Sequence, residues 1–193
     1  MQGRPPLTDS AQSAWAAFLR PDSWVIDATA GNGHDTEFLA RSVSPDGRVF
    51  AIDIQKSAIE ATARRLDAAG LLDRVTLIRE DHSRMRNVLA CGIRSRIDLV
   101  CFNLGYLPHG NKEIKTSRET TLPALHEALL LLNPEGVLSV IAYRGHEGAM
   151  AEAEMVERFF TTLPPPWKCI LHEATGSDEN PGPVLWMASG REN

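Results

Sequence analysis

The sequence predicts an α/β fold in which helices cover both faces of a mostly parallel sheet. Segments with strand and helix character alternate through most of the 193 residues, and this alternation is typical of strand–helix–strand units. The fourth strand, Ile97–Phe102, is almost continuously apolar, as expected for a strand that is buried on both faces. The last two strands have no helix between them, so we expect the final strand to be antiparallel.

Seven segments have the apolar, β-branched or aromatic character of strands. In chain order they are Trp24–Ala28, Val49–Asp53, Val75–Ile78, Ile97–Phe102, Val137–Tyr143, Trp167–Glu173 and Val184–Ala188. Turn-forming residues separate several of them, namely Pro45-Asp46-Gly47, Asn133-Pro134-Glu135-Gly136 and Pro164-Pro165-Pro166. A polar loop, Thr175–Pro183, is expected to join the last two strands.

Segments with a helical spacing of apolar residues lie between the strands. They cover Asp9–Arg20, Thr36–Val43, Ala58–Ala69, Arg84–Ala90, Thr120–Leu132 and Ala149–Leu163. In the first helix Ser10 is the expected N-cap and Pro21 the stop. In the third helix Ile59, Ala63 and Leu66 share the face that we expect to be buried.

The composition predicts a single domain over residues 1–193. Hydrophobic residues make up 43% and charged residues 23% of the chain, as in globular proteins with a core of their own. The net charge of −5 argues against a generally basic nucleic-acid coat and against attraction to anionic membranes, but it permits a local basic site. Neither a membrane span nor a secretory signal is expected. Three cysteines outside any CxxC pair predict neither a disulfide framework nor a zinc site, and indicate a reducing cytoplasm.

A glycine-containing turn follows the first strand and opens the next helix. Its residues are Asp27-Ala28-Thr29-Ala30-Gly31-Asn32-Gly33, and glycines in such a turn let the backbone approach a ligand closely. Asp53 ends the second strand, where a carboxylate can accept hydrogen bonds from both hydroxyls of a ribose. This combination favours a nucleoside-type cofactor over a simple tight turn with an ordinary strand-end aspartate.

The residues after the glycines discriminate between cofactors. A dinucleotide site has the pattern G-x-G-x-x-G, but here Thr36 stands in the place of the third glycine and follows Asp35. A carboxylate at Asp35 would repel a pyrophosphate, whereas it suits the cationic amino and sulfonium groups of S-adenosylmethionine (SAM). Asp27 adds a second acid, although it could simply support the turn through backbone N–H groups. The two acids favour SAM over NAD, and the absence of GK[ST] excludes a P-loop.

Polar residues also follow the third and fourth strands, where sheets of this type bind ligands. Asp81 could accept a hydrogen bond from the adenine amino group, and His82 could pack on the ring. The alternative is that the two residues cap a helix. Asn103 follows the fourth strand, which flanks the switch point of the sheet, so we expect Asn103 to face the cofactor.

The string D-A-T-A-G-N-G-H-D-T, with Asp53-Ile54-Gln55 after it, resembles class I SAM-dependent methyltransferases. More narrowly, the chain is similar to the small bacterial rRNA methylase (YtqB-like) family, whose members act as tRNA 5-aminomethyl-2-thiouridine methyltransferases (MnmM type). The similarity continues through F-N-L-G-Y-L-P at 102–108 and Y-R-G-H at 143–146. The chain departs from the family at His109-Gly110, where members carry two glycines, and at Pro181-Gly182-Pro183, where a proline pair is broken.

The resemblance implies a Rossmann-like class I methyltransferase fold with a seven-stranded sheet. It also implies SAM contacts at Asn32, Asp35, Asp53, Gln55 and His82. Together with the residues argued above, the predicted cofactor-binding set is Asp27, Ala28, Gly31, Asn32, Gly33, Asp35, Thr36, Asp53, Ile54, Gln55, Asp81, His82 and Asn103. No metal site is predicted.

The segment Asn103-Leu104-Gly105-Tyr106 resembles the Asn/Asp-Pro-Pro-Tyr loop of amino methyltransferases in its first and last residues. In that loop the amide oxygen and a backbone carbonyl accept hydrogen bonds from the target amine, and the aromatic ring stacks on its base. Asn103, Tyr106 and His146, the last as a proton acceptor, are therefore the predicted catalytic residues. A strand-end turn and a structural histidine are the alternatives. No cysteine follows a proline, as a carbon-5 pyrimidine methyltransferase would need, and Cys101 is expected to be buried and inert.

The predicted substrate-binding residues are Tyr106, Lys112, Lys115, Arg118, Tyr143 and Asn180. Four of them, Tyr106, Lys112, Lys115 and Arg118, belong to the long polar loop Leu104–Arg118, and loops of this length are often functional. Their cations could bind phosphates along an RNA stem-loop, whereas the arginines at 84, 86, 94 and 96 are equally consistent with a solvated surface.

The function predicted from the sequence is SAM-dependent methylation of the aminomethyl group of 5-aminomethyl-(2-thio)uridine at the tRNA wobble position. The expected partner is the anticodon stem-loop of a tRNA, with no DNA or membrane partner, and a homodimer is left open. One alternative is an rRNA or small-molecule methyltransferase of the same fold. The other is a non-catalytic SAM- or RNA-binding module.

Overall fold

A computed structural model gives the fold of this chain. It describes residues 6–43, 46–89, 93, 95–105, 115–145, 148–177 and 181–190. Predictions for Tyr106, Lys112, His146 and Asn180 lie outside the described residues.

In the part of the chain that the structure describes, seven strands form one sheet in the order β3-β2-β1-β4-β5-β7-β6. The strands are β1 (Trp24–Asp27), β2 (Arg48–Asp53), β3 (Val75–Arg79), β4 (Ile97–Leu104), β5 (Leu132–Ala142), β6 (Lys168–Gly176) and β7 (Pro181–Ser189). The first five strands pair in parallel, and β7 runs antiparallel to both of its neighbours, β5 and β6. The predicted mostly parallel sheet with an antiparallel last strand is confirmed.

Within the described residues, six α-helices surround the sheet. They are α1 (Leu7–Ala16), α2 (His34–Ser42), α3 (Lys56–Ala68), α4 (Met85–Val88), α5 (Arg118–Leu131) and α6 (Ala149–Thr161), with 3-10 turns at Leu72–Arg74 and His82–Arg84. Apolar residues of α1, α2 and α3 form one buried cluster with Val25, and those of α4, α5 and α6 form another with Ile26. Because successive strand residues point to opposite faces, the two clusters cover both sides of the sheet, as predicted. None of the described helices is long and apolar enough to cross a membrane.

Two details of the predicted helices are wrong. The first helix begins at Leu7 with Pro6 at its N-cap position and ends at Ala16, so Ser10 lies inside it and Pro21 lies beyond its end. In α3 the buried residues are Ala58, Thr62 and Leu66 rather than Ile59 and Ala63. Thr62 lies on the buried face of α3, and its hydroxyl donates a hydrogen bond to the Gly31 carbonyl at 3.1 Å. Hydrophobic periodicity does not reveal this contact, because it is made by a polar side chain.

Two segments that were predicted as turns or loops belong to strands. Residues 133–136 form an irregularity within β5, because Leu132 pairs with Ile97 while Val137 pairs with Leu99. The loop between the last strands is shorter than predicted, since β6 continues to Gly176 and β7 begins at Pro181. Glycine and proline are frequent there, so the composition suggested a loop, although Gly176 pairs with Pro181.

Candidate cofactor and acceptor site

A cavity of about 540 Å³ lies at the carboxyl ends of β1, β2, β3 and β4. Ten of the thirteen predicted cofactor-binding residues line it: Ala28, Gly31, Asn32, Asp35, Asp53, Ile54, Gln55, Asp81, His82 and Asn103. Lys115 and Tyr143, two of the predicted substrate-binding residues, line the same cavity. Parallel strands end at one edge of the sheet, so residues distant in sequence meet there.

The glycine turn is held against the end of β2. Gly31 and Gly33 have φ angles of 54° and 79°, which are left-handed conformations that favour glycine. The Gly31 N–H donates to Asp53 Oδ2 at 2.9 Å, and the Gln55 N–H donates to Asp53 Oδ1 at 2.8 Å. Both carboxylate oxygens of Asp53 are therefore fixed in direction, and each keeps a lone pair for a further donor.

The third helix holds the turn from the other side. Arg65 donates from Nε to the Asn32 carbonyl at 2.8 Å, and its guanidinium also contacts Glu37 at 3.1 Å and His34 Nε2 at 3.0 Å. A Cβ atom on Gly33 would lie 2.9 Å from the Thr62 Cα atom. These two α3 side chains were not predicted, since no local signal marks which residues of a helix face a distant turn.

Asp27 supports the turn from beneath and does not line the cavity. It is buried, its Oδ2 accepts a hydrogen bond from the Thr36 hydroxyl at 2.6 Å, and its Oδ1 accepts one from the Thr29 N–H at 3.2 Å. Burial raises the pKa of Asp27 from 3.8 to about 7; Asp35 adds to the rise, and the Thr36 hydrogen bond opposes it. The cofactor contacts predicted at Asp27, Gly33 and Thr36 stay predictions; all three residues are buried and none of them lines the cavity.

Asp35 projects from the start of α2 into the cavity. Burial raises its pKa, and hydrogen bonds from the side chains of Gln12 and Asn103 oppose that rise. The Gln12 amide of α1 donates to Asp35 Oδ1 at 2.7 Å. A partly desolvated carboxylate of this kind is a favourable neighbour for a cationic ligand group.

The 3-10 turn that follows β3 carries His82, which lines the cavity. His82 is 9% exposed, its ring packs edge-on against Phe102 at 5.7 Å, and no described residue hydrogen-bonds to its Nε2. Burial lowers the pKa of His82, although Asp81 acts in the opposite direction. Asp81 accepts a hydrogen bond from the Ser83 N–H at 2.8 Å, so it caps the 3-10 turn and lines the cavity as well.

Asn103 is fixed at the end of β4 through its backbone, whose N–H donates to the Thr29 hydroxyl at 2.7 Å. Its side-chain amide is a neighbour of the Asp35 carboxylate and opposes the rise in the pKa of that group. Since a carboxylate only accepts hydrogen bonds, the NH₂ group of Asn103 suits this neighbour, and its Oδ1 is left as an acceptor.

The structure also describes Arg118, Tyr143 and Cys101. Arg118 does not line the cavity and pairs with Glu119 at 2.9 Å. Burial and the charge of Asp35 raise the pKa of Tyr143, which is 38% exposed. Cys101 is buried and burial raises its pKa well above the ordinary value, in agreement with an inert thiol. The cavity also includes residues absent from the predicted set: Thr29, Ala30, His34, Glu80, Leu104, Gly105, Thr116, Ser117, Thr120 and Gly145.

Comparisons with known sequences agree with one another. The family model described as "Putative rRNA methylase" matches residues 49–188. The tRNA (mnm(5)s(2)U34)-methyltransferase, chloroplastic, of Arabidopsis thaliana is 40% identical over 200 residues, which cover 99% of this chain and 72% of the plant protein. Ribosomal RNA small subunit methyltransferase H 2 of Agathobacter rectalis is 40% identical over 89 residues, which cover 45% of this chain and 27% of that protein.

Solved structures share the whole fold. A "putative rRNA-methylase" from Clostridium thermocellum superposes with a TM-score of 0.85 at 35% identity, covering 98% of this chain and 99% of the other. A "putative methyltransferase" from Streptococcus mutans in complex with SAH superposes with a TM-score of 0.82 at 29% identity, with coverage of 98% and 99%.

Proposed function

This chain belongs to the rRNA methylase family, and from that premise we propose that it methylates the aminomethyl group of 5-aminomethyl-(2-thio)uridine at the wobble position of a tRNA. It is a SAM-dependent methyltransferase. The observation that carries the substrate is the 40% identity over 99% of this chain with the plant tRNA (mnm(5)s(2)U34)-methyltransferase. The position of Asn103 in the cavity of Asp53 and His82 supports methylation of an amine.

The residues of the cavity suit SAM. Asp53 is oriented by two backbone N–H groups, and we assign it to the ribose hydroxyls. The unpaired Nε2 of His82 is a partner for the adenine ring, because a buried polar atom without a hydrogen bond is costly until a ligand satisfies it. The Asp35 carboxylate, in the same cavity, suits the cationic methionine end.

The acceptor side contributes mainly orientation. When bound, SAM supplies a methyl group on a positively charged sulfur. The Oδ1 of Asn103 accepts a hydrogen bond from the target amine and so directs the amine lone pair towards the reacting carbon, in line with the departing sulfur. We assign Tyr106 to stacking on the base and His146 to accepting the proton that the amine releases.

We propose that the anticodon stem-loop, rather than DNA, reaches the rim of this cavity. Lys115 and Tyr143 line it, and Lys112, Arg118 and Asn180 are the further residues that we assign to the RNA. A reducing cytoplasm stays the expected location, and a homodimer stays open.

The test is nucleoside mass spectrometry on tRNA from cells that lack this gene. We expect unmethylated 5-aminomethyl-2-thiouridine to accumulate, and the purified protein with SAM to convert it. The Asn103→Ala variant should lose turnover about a hundredfold or more, since positioning carries the rate, while its affinity for SAM changes little. The matched control is Asn87→Ala, because Asn87 is exposed on α4 and away from the cavity. Full activity of Asn103→Ala would contradict its assignment.

A second candidate is methylation of ribosomal RNA. The 89-residue match to ribosomal RNA small subunit methyltransferase H 2 favours it, as does the description of the family. The purified protein and SAM are therefore incubated in parallel with small ribosomal subunits and with tRNA, each taken from the strain that lacks the gene, and methyl incorporation is measured. Incorporation of the methyl group into ribosomal RNA alone would replace the tRNA proposal.

A further inference from the structure

A buried carboxylate lies behind the acceptor side of the cavity. Glu152 belongs to the first turn of α6, is 4% exposed and does not itself line the cavity. Its Oε2 accepts a hydrogen bond from the Thr116 hydroxyl at 2.8 Å, and its Oε1 accepts one from the Thr121 hydroxyl at 2.6 Å. Burying a charged group is costly unless its hydrogen bonds are made, so this side chain holds both hydroxyls firmly.

The contact continues from Thr116 to the end of β4. The Gly105 N–H donates to the Thr116 hydroxyl oxygen at 2.9 Å, and the Thr116 N–H donates to the Gly105 carbonyl at 2.9 Å. Gly105 comes two residues after Asn103, and both Gly105 and Thr116 line the cavity. A chain of hydrogen bonds therefore runs from Glu152 through Thr116 to the backbone beside Asn103.

This series of hydrogen bonds helps to fix the direction of a backbone carbonyl group. In a planar trans peptide the N–H and C=O groups point in opposite directions. The Gly105 N–H points to Thr116, so the carbonyl of Leu104, in the same peptide, points away from Thr116. Its direction is therefore set jointly by the Thr116 hydroxyl and by the pairing of Leu104 with Ala142 of β5.

The charge of Glu152 also polarises the successive hydrogen bonds of this series. Hydrogen bonds in series polarise one another where the local dielectric is low. A hydroxyl that donates to a carboxylate is a stronger acceptor, so it draws more strongly on the Gly105 N–H. The Leu104 carbonyl then carries more negative charge and is a better acceptor itself.

We propose that Glu152 is a positioning residue for methyl transfer, which acts through Thr116 to set the Leu104 carbonyl beside Asn103 as a second acceptor for the target amine. The inference rests on the proposed function, in which Asn103 receives that amine. It assigns to the start of α6 a role in turnover that the cavity lining alone does not show.

The test compares Glu152→Ala and Thr116→Val with Val156→Ala. Val156 is fully buried one turn further along α6, so its truncation destabilises the same helix without touching the hydrogen-bond chain. We expect each of the first two variants to lower kcat about tenfold to a hundredfold relative to Val156→Ala, since small displacements at a reacting centre have effects of this size. Their affinity for SAM, measured by calorimetry, should match that of Val156→Ala. The kcat of the double variant should be no lower than that of either single variant, because the two residues act through the same series of hydrogen bonds.

A second variant and a second readout keep the test decisive. Glu152→Gln keeps the shape of the side chain but leaves one of the two hydroxyls without its acceptor, so its kcat should lie between those of the wild type and Glu152→Ala. Hydrogen exchange at the Gly105 and Thr116 amides should accelerate in Glu152→Ala and not in Val156→Ala. If kcat and exchange in the Glu152 variants match those of Val156→Ala, the positioning role is refuted. Wild-type protein that does not methylate tRNA would refute the proposed substrate instead, and the exchange measurement would still decide the role of Glu152.

Discussion

Replacing Asp27 with asparagine should change how the stability of this protein depends on pH. Asp27 is 2% exposed, and burial, with the charge of Asp35 second, raises its pKa from 3.8 to about 7. The folded protein therefore holds this proton at pH values where the unfolded chain has released it. The contribution of Asp27 to stability is most favourable below about pH 4 and is lost as the pH rises to about 7.

The size of the effect follows from the two pKa values. At about 1.36 kcal/mol per pH unit, a pKa raised from 3.8 to about 7 corresponds to about 4 kcal/mol. Asparagine has nearly the same shape and carries no charge, so it avoids this loss. It also replaces one carboxylate oxygen by an NH₂ group, and the hydrogen bond from Thr36 or Thr29 is weakened at a cost of about 1 kcal/mol at every pH.

The assay is urea unfolding without cofactor, at several pH values from about 4 to about 8. We expect the free energy of unfolding of Asp27→Asn, relative to the wild type, to increase with pH by up to about 4 kcal/mol. Asp35 and Asp53 are present in both proteins, so the difference isolates Asp27. The matched control is Asp67→Asn, since Asp67 is exposed on α3. A difference between Asp27→Asn and the wild type that stays constant over this pH range would refute the burial argument.

Two further predictions concern the glycine turn and the end of β2. Asp53→Ala should weaken SAM binding measured by calorimetry about tenfold or more, since the charge-assisted ribose contacts and the hydrogen bond that holds Gly31 are lost together; unchanged affinity would refute the ribose assignment. Gly33→Ala should lower the free energy of unfolding by about 1–3 kcal/mol more than Gly70→Ala, because both glycines have positive φ but a Cβ atom meets the Thr62 backbone only at Gly33. Equal losses in the two variants, measured by urea unfolding, would show that the close approach to α3 is not limiting.

Much of the site could be predicted because its residues follow strands. Alternating strands and helices determine a parallel sheet, and such a sheet brings Asp53, Asp81 and Asn103 to one edge although the chain separates them widely. Residues of this kind carry a local signal, namely a polar side chain directly after an apolar run. Their roles towards SAM and RNA stay predictions that the proposed experiments test.

The supporting residues could not be predicted from the sequence, because they carry no such local signal. Thr62 and Arg65 lie within α3, and Glu152 lies within α6, where their identities fit any solvated helix face. Only the packing of those helices against the glycine turn and the end of β4 turns them towards the site. The same holds for the two hydrogen bonds by which the buried Asp27 supports the turn, since the sequence alone does not show its burial.

The sequence by itself determined the order of the elements, the mostly parallel sheet and the edge at which the cavity lies, because these follow from periodicity along the chain. The tertiary structure alone decided which side chains line the cavity at that edge and which hold the surrounding backbone in place. That division has a physical cause: a strand end exposes its residues by its own geometry, whereas a helix residue acquires its partner only from the angle at which the helix packs.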